Sequence, residues 1–444
     1  MTKHAILSQN ENVAYLLTGQ ERTDHINLSN DLEGLCNLAL QREFTHLWIH
    51  PSTAIRFELR GPEPLLMAAH WDTLANWQYR DQGAPIEDNH LVSLHGYRRF
   101  PRGRSPRFNL IFLEYAAFDW GNLAPEEILR MIADLESKLG VSVGGSPAGV
   151  GLRYLQKINE KHLQWLAQPD TDLASIPFDR AARPLIWSRP PSEDEQARRY
   201  LYKFDENSAY PRAAVEERFG VGDPVHYPMG TGFNHMLPGI WRVDVEFSPD
   251  LHPLLPPPVW SNFEWLATPM VKLLVQLGCG IFVNEAWVFP KYEYIFRKWG
   301  KNLWEYTQEY ERGTSERIAF KQIMNEPLGL VRSKMFGTDS FKFRPDWNSM
   351  IVGSTRANVH RKAVKYGLQG HYPIMVQLDA LYYLSDEKLP NVAVPGILDH
   401  SSSLGGYKLD FCLEVDDQVR NILLTSSGSR RLHALNELAE KAGY

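Results

Sequence analysis

The segment RRYLYKFDENSAYP, residues 198–211, decides how the rest of the chain is read. From Tyr200 to Phe204 it is aromatic and apolar but for Lys203, the composition of a strand, and Asp205 closes that run. Asn207, Ser208 and Pro211 then read as a turn leading into the helical RAAVEERFG. An aspartate at the end of an apolar strand can be presented to a metal ion, and the backbone of the following turn can face a phosphate tail. Asp205, Asn207 and Ser208 would serve equally as helix N-caps, so the segment alone leaves both uses open.

Two further segments carry chemistry. In PIMVQLDALYYL (373–384), two apolar β-runs flank Asp379. A carboxylate inside such a run costs several kcal/mol unless it is paired, metal-bound or turned to water at a strand end. In the helical SERIAFKQIMNEPLG (315–329), Arg317, Lys321 and Asn325 recur every four residues and share one face. Two cations and an amide in line suit a triphosphate and a base or sugar edge, and they also suit a plain solvent face. Pro327 and Gly329 are expected to end this helix.

Around these segments the chain has an ordinary globular make-up. Its 444 residues suggest two to four domains at roughly 100–200 residues each. Hydrophobic residues at 43% and charged residues at 23% leave ample material for more than one core. Cys36, Cys279 and Cys412 are far apart and odd in number, which excludes a disulfide scaffold and fits a reducing, cytoplasmic setting. The opening MTKHAILSQNEN has no apolar signal core, and no run approaches the ~18 apolar residues of a membrane span. A net charge of -6 argues against a basic coat protein yet allows a local basic channel. One candidate lining is GYRRFPRGRSPRF (96–108), where Arg98, Arg99, Arg102 and Arg104 alternate with Tyr97, Phe100 and Phe108. Such a loop can touch a phosphate backbone.

In order and spacing these residues resemble family B DNA polymerases, especially the protein-primed phage and plasmid branch. DENSAYP resembles the first polymerase motif, KQIMNEPLG the second and QLDALYYL the third. LGGYKLD (404–410) resembles the later motif whose lysine contacts the primer, and SPAGVGLRYLQK (146–157) the link between exonuclease and polymerase. The resemblance implies an α+β right-hand polymerase: a palm with an antiparallel sheet, helical fingers and a reduced thumb, preceded by an RNase H-like exonuclease-type α/β domain. The expected domains are a degenerate exonuclease-like 1–145, a linker 146–199, and a polymerase region 200–444 with a terminal-protein-region-like insert at about 225–290.

The roles implied by the resemblance are as follows. Asp205 and Asp379 would hold two Mg2+ or Mn2+ ions that drive nucleotidyl transfer to a primer hydroxyl. Glu206, Asn207, Ser208, Tyr210, Arg317, Lys321 and Asn325 would bind the incoming nucleotide. Lys408 and Arg98, Arg99, Arg102 and Arg104 would bind DNA. Partners would be primer–template DNA, deoxynucleoside triphosphates and a terminal priming protein, with no membrane. Against the family pattern, the third motif keeps one of two aspartates spaced by one residue, with Leu381 at the second position, and the second motif carries Glu326 and Leu328 for Ser and Tyr. A proofreading domain would carry Asp-x-Glu on its first strand, whereas HLWIHPSTA offers His50; Glu114 and Asp119 flank a later strand. About sixty residues follow the third motif, hence the small thumb. The alternative implied by these departures is a catalytically inactive homologue that binds nucleic acid or assists replication.

Overall fold

The computed structural model describes residues 3–10, 13–19, 21–23, 38–39, 41–50, 77–81, 93–98, 107–113, 118–120, 123–259, 263–334, 340–398, 404–426 and 428–444. They divide into two units, one of residues 1–158 and 302–327 and one of residues 159–301 and 328–444.

The first unit is built on a seven-stranded mixed sheet. Its strands are β1 His4–Asn10, β2 Val13–Thr18, β3 Glu21–Thr23, β4 His46–Ile49, β5 Trp77–Asp81, β6 Ser93–Arg98 and β7 Arg107–Phe112, in the order β3-β2-β1-β4-β7-β6-β5. Strands β3, β2 and β1 are antiparallel, β1, β4 and β7 are parallel, and a β5–β6 hairpin adds antiparallel strands to the far side. The first strand is therefore β1 rather than the HLWIH run at 46–50. Ala5, Ile6, Leu7 and Ser8 are buried in succession because β1 is central and covered on both faces, so it shows no polar–apolar alternation. Helix α1 Pro125–Leu139 turns Ile128, Leu129, Ile132, Leu135 and Leu139 inward, and Gly140 ends it at φ 60°. Helix α2 Pro147–Ile158 comes next.

The stretch expected to be a linker is structured: besides α2 it contributes short helices at Phe178–Ala181 and Glu193–Gln196 and strand β8 Ile186–Ser188. The latter joins β9 Tyr200–Glu206, β16 Met375–Gln377, β17 Ala380–Ser385 and β18 Tyr407–Glu414 in an antiparallel five-stranded sheet ordered β18-β9-β17-β16-β8. Between β9 and β16 run α3 Ala209–Glu216, β10 Phe219–Val221, β11 Val225–Tyr227, β12 Gly239–Glu246, β13 Phe263–Ala267, α4 Thr268–Gln276, β14 Gly280–Val288 and β15 Lys291–Glu293. Strands β11, β14, β12 and β13 make a separate four-stranded sheet. Helices α5 Arg297–Gln308, α6 Ser315–Leu330 and α7 Pro345–Gly367 follow.

Contrary to expectation, α6 stays helical through Pro327 and Gly329. Proline there removes the N–H that would bond the Ile323 carbonyl. On α2, Gly151 lies so close that a Cβ would stand 2.4 Å from both that carbonyl oxygen and Pro327 Cγ, so neighbouring backbone covers the break.

Helix α7 is the central post of the second unit and is buried on nearly every side. Val359, Ala363 and Tyr366 pack on one face of the five-stranded sheet with Tyr202, Phe204, Leu381 and Tyr383, and Ala357 joins the core of the four-stranded sheet. On the opposite face of the five-stranded sheet, Leu201, Met375, Tyr382 and Phe411 are covered by Val419 and Leu423 of α8 Asp417–Thr425 and Leu432 and Leu435 of α9 Gly428–Lys441. Among the described residues no helix is long and apolar enough to cross a membrane.

Candidate active site

Alternation along β9 sends Tyr202, Phe204 and Glu206 toward α7, and Leu201, Lys203 and Asp205 to the other face. The end of β9 is tied to the loop before β18: Asn207 N–H donates to the Gly406 carbonyl and Gly405 N–H to the Asn207 carbonyl. Ser208 then takes a left-handed φ of 55°, unusual for a residue with a Cβ, and starts α3 with no side-chain capping bond. The turn is therefore not held by a capping serine.

In the ladder Lys408 stands directly opposite Asp205, and its Nζ lies 3.3 Å from Asp205 Oδ2. Two residues back, Lys203 Nζ lies 2.8 Å from Oδ2 of Asp410, which sits at the irregularity in the β9–β18 register. These cross-strand pairs alternate sign along one face. Beside them, β16 and β17 form a hairpin whose pairing of Gln377 with Ala380 leaves Leu378 and Asp379 as the two-residue loop. Leu378 adopts φ 56°, and its N–H donates to the Leu185 carbonyl at 2.7 Å. The loop is held from outside in a conformation that leucine disfavours.

The electrostatics tie this loop to β9. Burial, and next the charge of Asp205, push the Asp379 carboxyl up to about 7. Burial raises Asp205 itself against the pull of Lys408. Tyr210, the second residue of α3, is pushed up to about 12 by burial and then by Asp379. Glu206 points the other way: it is buried, its Oε1 accepts from Arg212 at 3.0 Å, and burial raises its carboxyl. It is thus a structural partner of Arg212, which also donates to Glu216 at 3.1 Å.

The five-stranded sheet and its turns bring together Asp205, Asn207, Ser208, Tyr210, Asp379 and Lys408. Leu381 is not among them: it pairs with Phe204 and is fully buried against α7. The position one residue removed from Asp379 on the charged face is Gln377. Its Oε1 accepts from the Tyr382 hydroxyl at 2.9 Å, and Tyr382 is the cross-strand partner of Lys203. Gln377, Lys203 and Asp410 also belong to this face and are absent from the motif-based expectation; for Lys203 and Gln377 the signal is parity along β9 and β16, which brings every second residue to the charged face.

Helix α6 carries the other three nucleotide-site candidates. The expected common face does not hold for Arg317, which is buried and donates through NH1 to the Tyr310 carbonyl at 2.8 Å. Burial, and next Arg312, lower its guanidinium. Lys321 is half-buried and Asn325 exposed, the Asn325 amide donating to the Lys321 carbonyl at 2.9 Å. Glu326 faces α2, where burial pushes its carboxyl up to about 7 against the backbone N–H of Ala148. Arg98 closes β6, while Arg99, Arg102 and Arg104 lie outside the described residues, as does Glu114. In the first unit, β1 carries no carboxylate. His4 on that strand meets Glu136 at 2.8 Å and stacks on His46, and Glu136 also accepts from Val143 N–H, so Glu136 is a structural partner.

Among the described residues no group of three or more His, Cys, Asp or Glu is arranged around a metal position. No protein-family model and no curated protein matches the chain. Solved structures do. Phi29 DNA polymerase complexed with primer-template DNA and incoming nucleotide substrates superposes with a TM-score of 0.62 at 11% identity, over 93% of this chain and 85% of that one. Its binary complex with primer-template DNA gives 0.61 at 12%, and its complex with single-stranded DNA 0.58 at 12%, with the same coverage. The fold is that of a DNA polymerase. At this identity the likeness is one of fold.

Proposed function

We propose that the chain is a template-directed DNA polymerase of the protein-primed family B type, working without proofreading. The observation that supports this reading is the electrostatic coupling of Asp379, in the β16–β17 loop, to Asp205 near the end of β9, with Lys408 opposite Asp205 in the ladder. Two neighbouring carboxyls, each raised by burial and one further raised by the other, form an all-oxygen donor set that a hard divalent cation would relieve. Mg2+ or Mn2+ fits there; when bound, such ions activate the primer hydroxyl and neutralise the leaving pyrophosphate.

The chain's own residues supply the rest. Lys408, half-exposed and already answering Asp205, is placed to hold the primer phosphate. The backbone N–H groups of Ser208, which is left-handed, and Ala209 face a triphosphate in this reading, the Asn207 N–H being held by the Gly406 carbonyl. Tyr210 stays neutral across physiological pH and can pack under the sugar. Arg317 and Glu206 are assigned to structure. Catalysis is then positioning plus charge stabilisation. The order β3-β2-β1-β4-β7 supports an RNase H-like first domain, and the lack of a carboxylate on β1 supports its having lost exonuclease activity. A terminal priming protein is the proposed further partner and the cytoplasm the proposed location.

Gln377 favours a second reading, a homologue that binds primed DNA without copying it. With glutamine at that position the charged face holds one fewer carboxylate than the family's paired aspartates would give. Primer extension with Mg2+ or Mn2+ separates the two. The unmodified chain should extend, and Asp205→Ala and Asp379→Ala should each abolish extension. Extension that survives both substitutions would remove the assigned site, and salt-sensitive binding of primed DNA without extension selects the second reading.

A further inference from the structure

A cavity of about 480 Å³ opens on the four-stranded sheet, and none of its lining residues belongs to the Asp205–Asp379 site. Its floor is one row across three strands: Arg242 on β12 pairs with Trp265 on β13 and with Glu285 on β14. Arg180 and Arg183 enter from the segment that packs over this face, where Leu173, Ile176 and Phe178 share a core with Trp265. Glu264 completes the wall.

The charges do not cancel. Glu285 is answered by Arg242 at 3.4 Å and by His226 at 2.9 Å. Glu264 is buried and answers the buried Arg356, for which Arg183 is a like-charge neighbour. Arg180 and Arg183 are exposed, and among the described residues neither guanidinium has a hydrogen-bond or ion-pair partner. Two cations are left facing a concave space, in the size range of a small-molecule site, ~300–1,000 Å³. Guanidinium forks match phosphate oxygens in charge and geometry.

We propose that this cavity is a phosphate-binding site, in which Arg180 and Arg183 take the phosphate of a free nucleotide or of a nucleic-acid strand above the Arg242–Trp265 floor. The site is separate from catalysis, so its test uses the full-length chain carrying Asp205→Ala and Asp379→Ala, which removes the assigned metal site from the readout. Binding of dAMP, inorganic pyrophosphate and a short single-stranded oligonucleotide is measured by titration calorimetry at low salt. Adding Arg180→Ala and Arg183→Ala should weaken binding about tenfold or more, through the loss of two charge-assisted contacts. Loss confined to the oligonucleotide identifies the strand as the source of the phosphate, with a salt slope shallower by about 1.4 for two contacts. Loss that includes dAMP identifies a free nucleotide. Arg130→Ala, an exposed arginine on α1, should leave every affinity unchanged. Affinities equal with and without Arg180 and Arg183, or no binding by the chain that retains them, would overturn the proposal.

Discussion

Replacing Asp379 with asparagine tests the electrostatics at the centre of the site. Burial and the charge of Asp205 raise this carboxyl from 3.8 to about 7 in the folded chain. A group raised in this way binds its proton more tightly folded than unfolded. Between the two values the unfolded chain therefore holds fewer protons, and stability falls as pH rises. The penalty is absent below about pH 4, complete above about pH 7 and at most about 4 kcal/mol, at 1.36 kcal/mol for each tenfold step. Asparagine keeps the shape and cannot ionise. Asp379→Asn should match the unmodified chain near pH 4 and exceed it at pH 8 by up to about 4 kcal/mol in urea unfolding followed by tryptophan fluorescence. Manganese at pH 8 should close much of that gap, because it answers both carboxylates in the unmodified chain and only Asp205 in the variant. A variant no more stable than the unmodified chain at pH 8 would refute the reasoning: Asp379 would then ionise freely, away from Asp205.

Three further outcomes follow from particular contacts. Gln377→Asp adds a carboxylate to the charged face and should tighten Mn2+ binding about tenfold or more in calorimetry, since ligand charge count sets divalent affinity; unchanged affinity would place residue 377 off that face. Ser208→Gly removes a Cβ from a left-handed residue that makes no cap bond and should raise stability by about 0.5–1 kcal/mol in the same urea assay. Gly151→Ala would gain about 1 kcal/mol as a helix substitution but forces a Cβ to 2.4 Å from the Ile323 carbonyl, overpacking that costs about 1–3 kcal/mol. A net loss of stability is expected, and a stabilised variant would mean that α2 and α6 are not in contact there.

The pieces legible in the sequence were those with local signals. DENSAYP ends β9 where the apolar run ends, α1 stops at Gly140, and QLDALYYL folds as two strands about Asp379. What escaped depended on neighbours distant in the chain. Strand β1 is buried on both faces between β2 and β4, so its run Ala5-Ile6-Leu7 lacks the alternation that marks a strand. Proline 327 should end a helix, yet α6 continues because α2 packs a glycine against the break. Arg317 looked like one of a surface stripe, but the Tyr310 carbonyl seven residues earlier draws it inward. The Leu378–Asp379 turn has none of the Asn-Gly or Asp-Gly chemistry of a short hairpin, and Leu185 supplies the bond that holds it.

Parity along the five-stranded sheet then decides what the loss of one aspartate means. Read along the sequence, Leu381 stands where a second metal carboxylate would be expected. A strand alternates faces with period two, however, and the pairing of Leu381 with Phe204 puts it on the side filled by Val359, Ala363 and Tyr366 of α7. A carboxylate there would be an unpaired charge in a core, costing stability and offering nothing to a metal. The face that bears Lys203, Asp205, Lys408 and Asp410 is reached instead from Gln377 and the Asp379 loop. Leucine at 381 is thus what this register demands of a core position, and it is no evidence of decay. Whether the chain copies DNA turns on Gln377, where an amide occupies the charged face and a hydroxyl from Tyr382 already satisfies its oxygen.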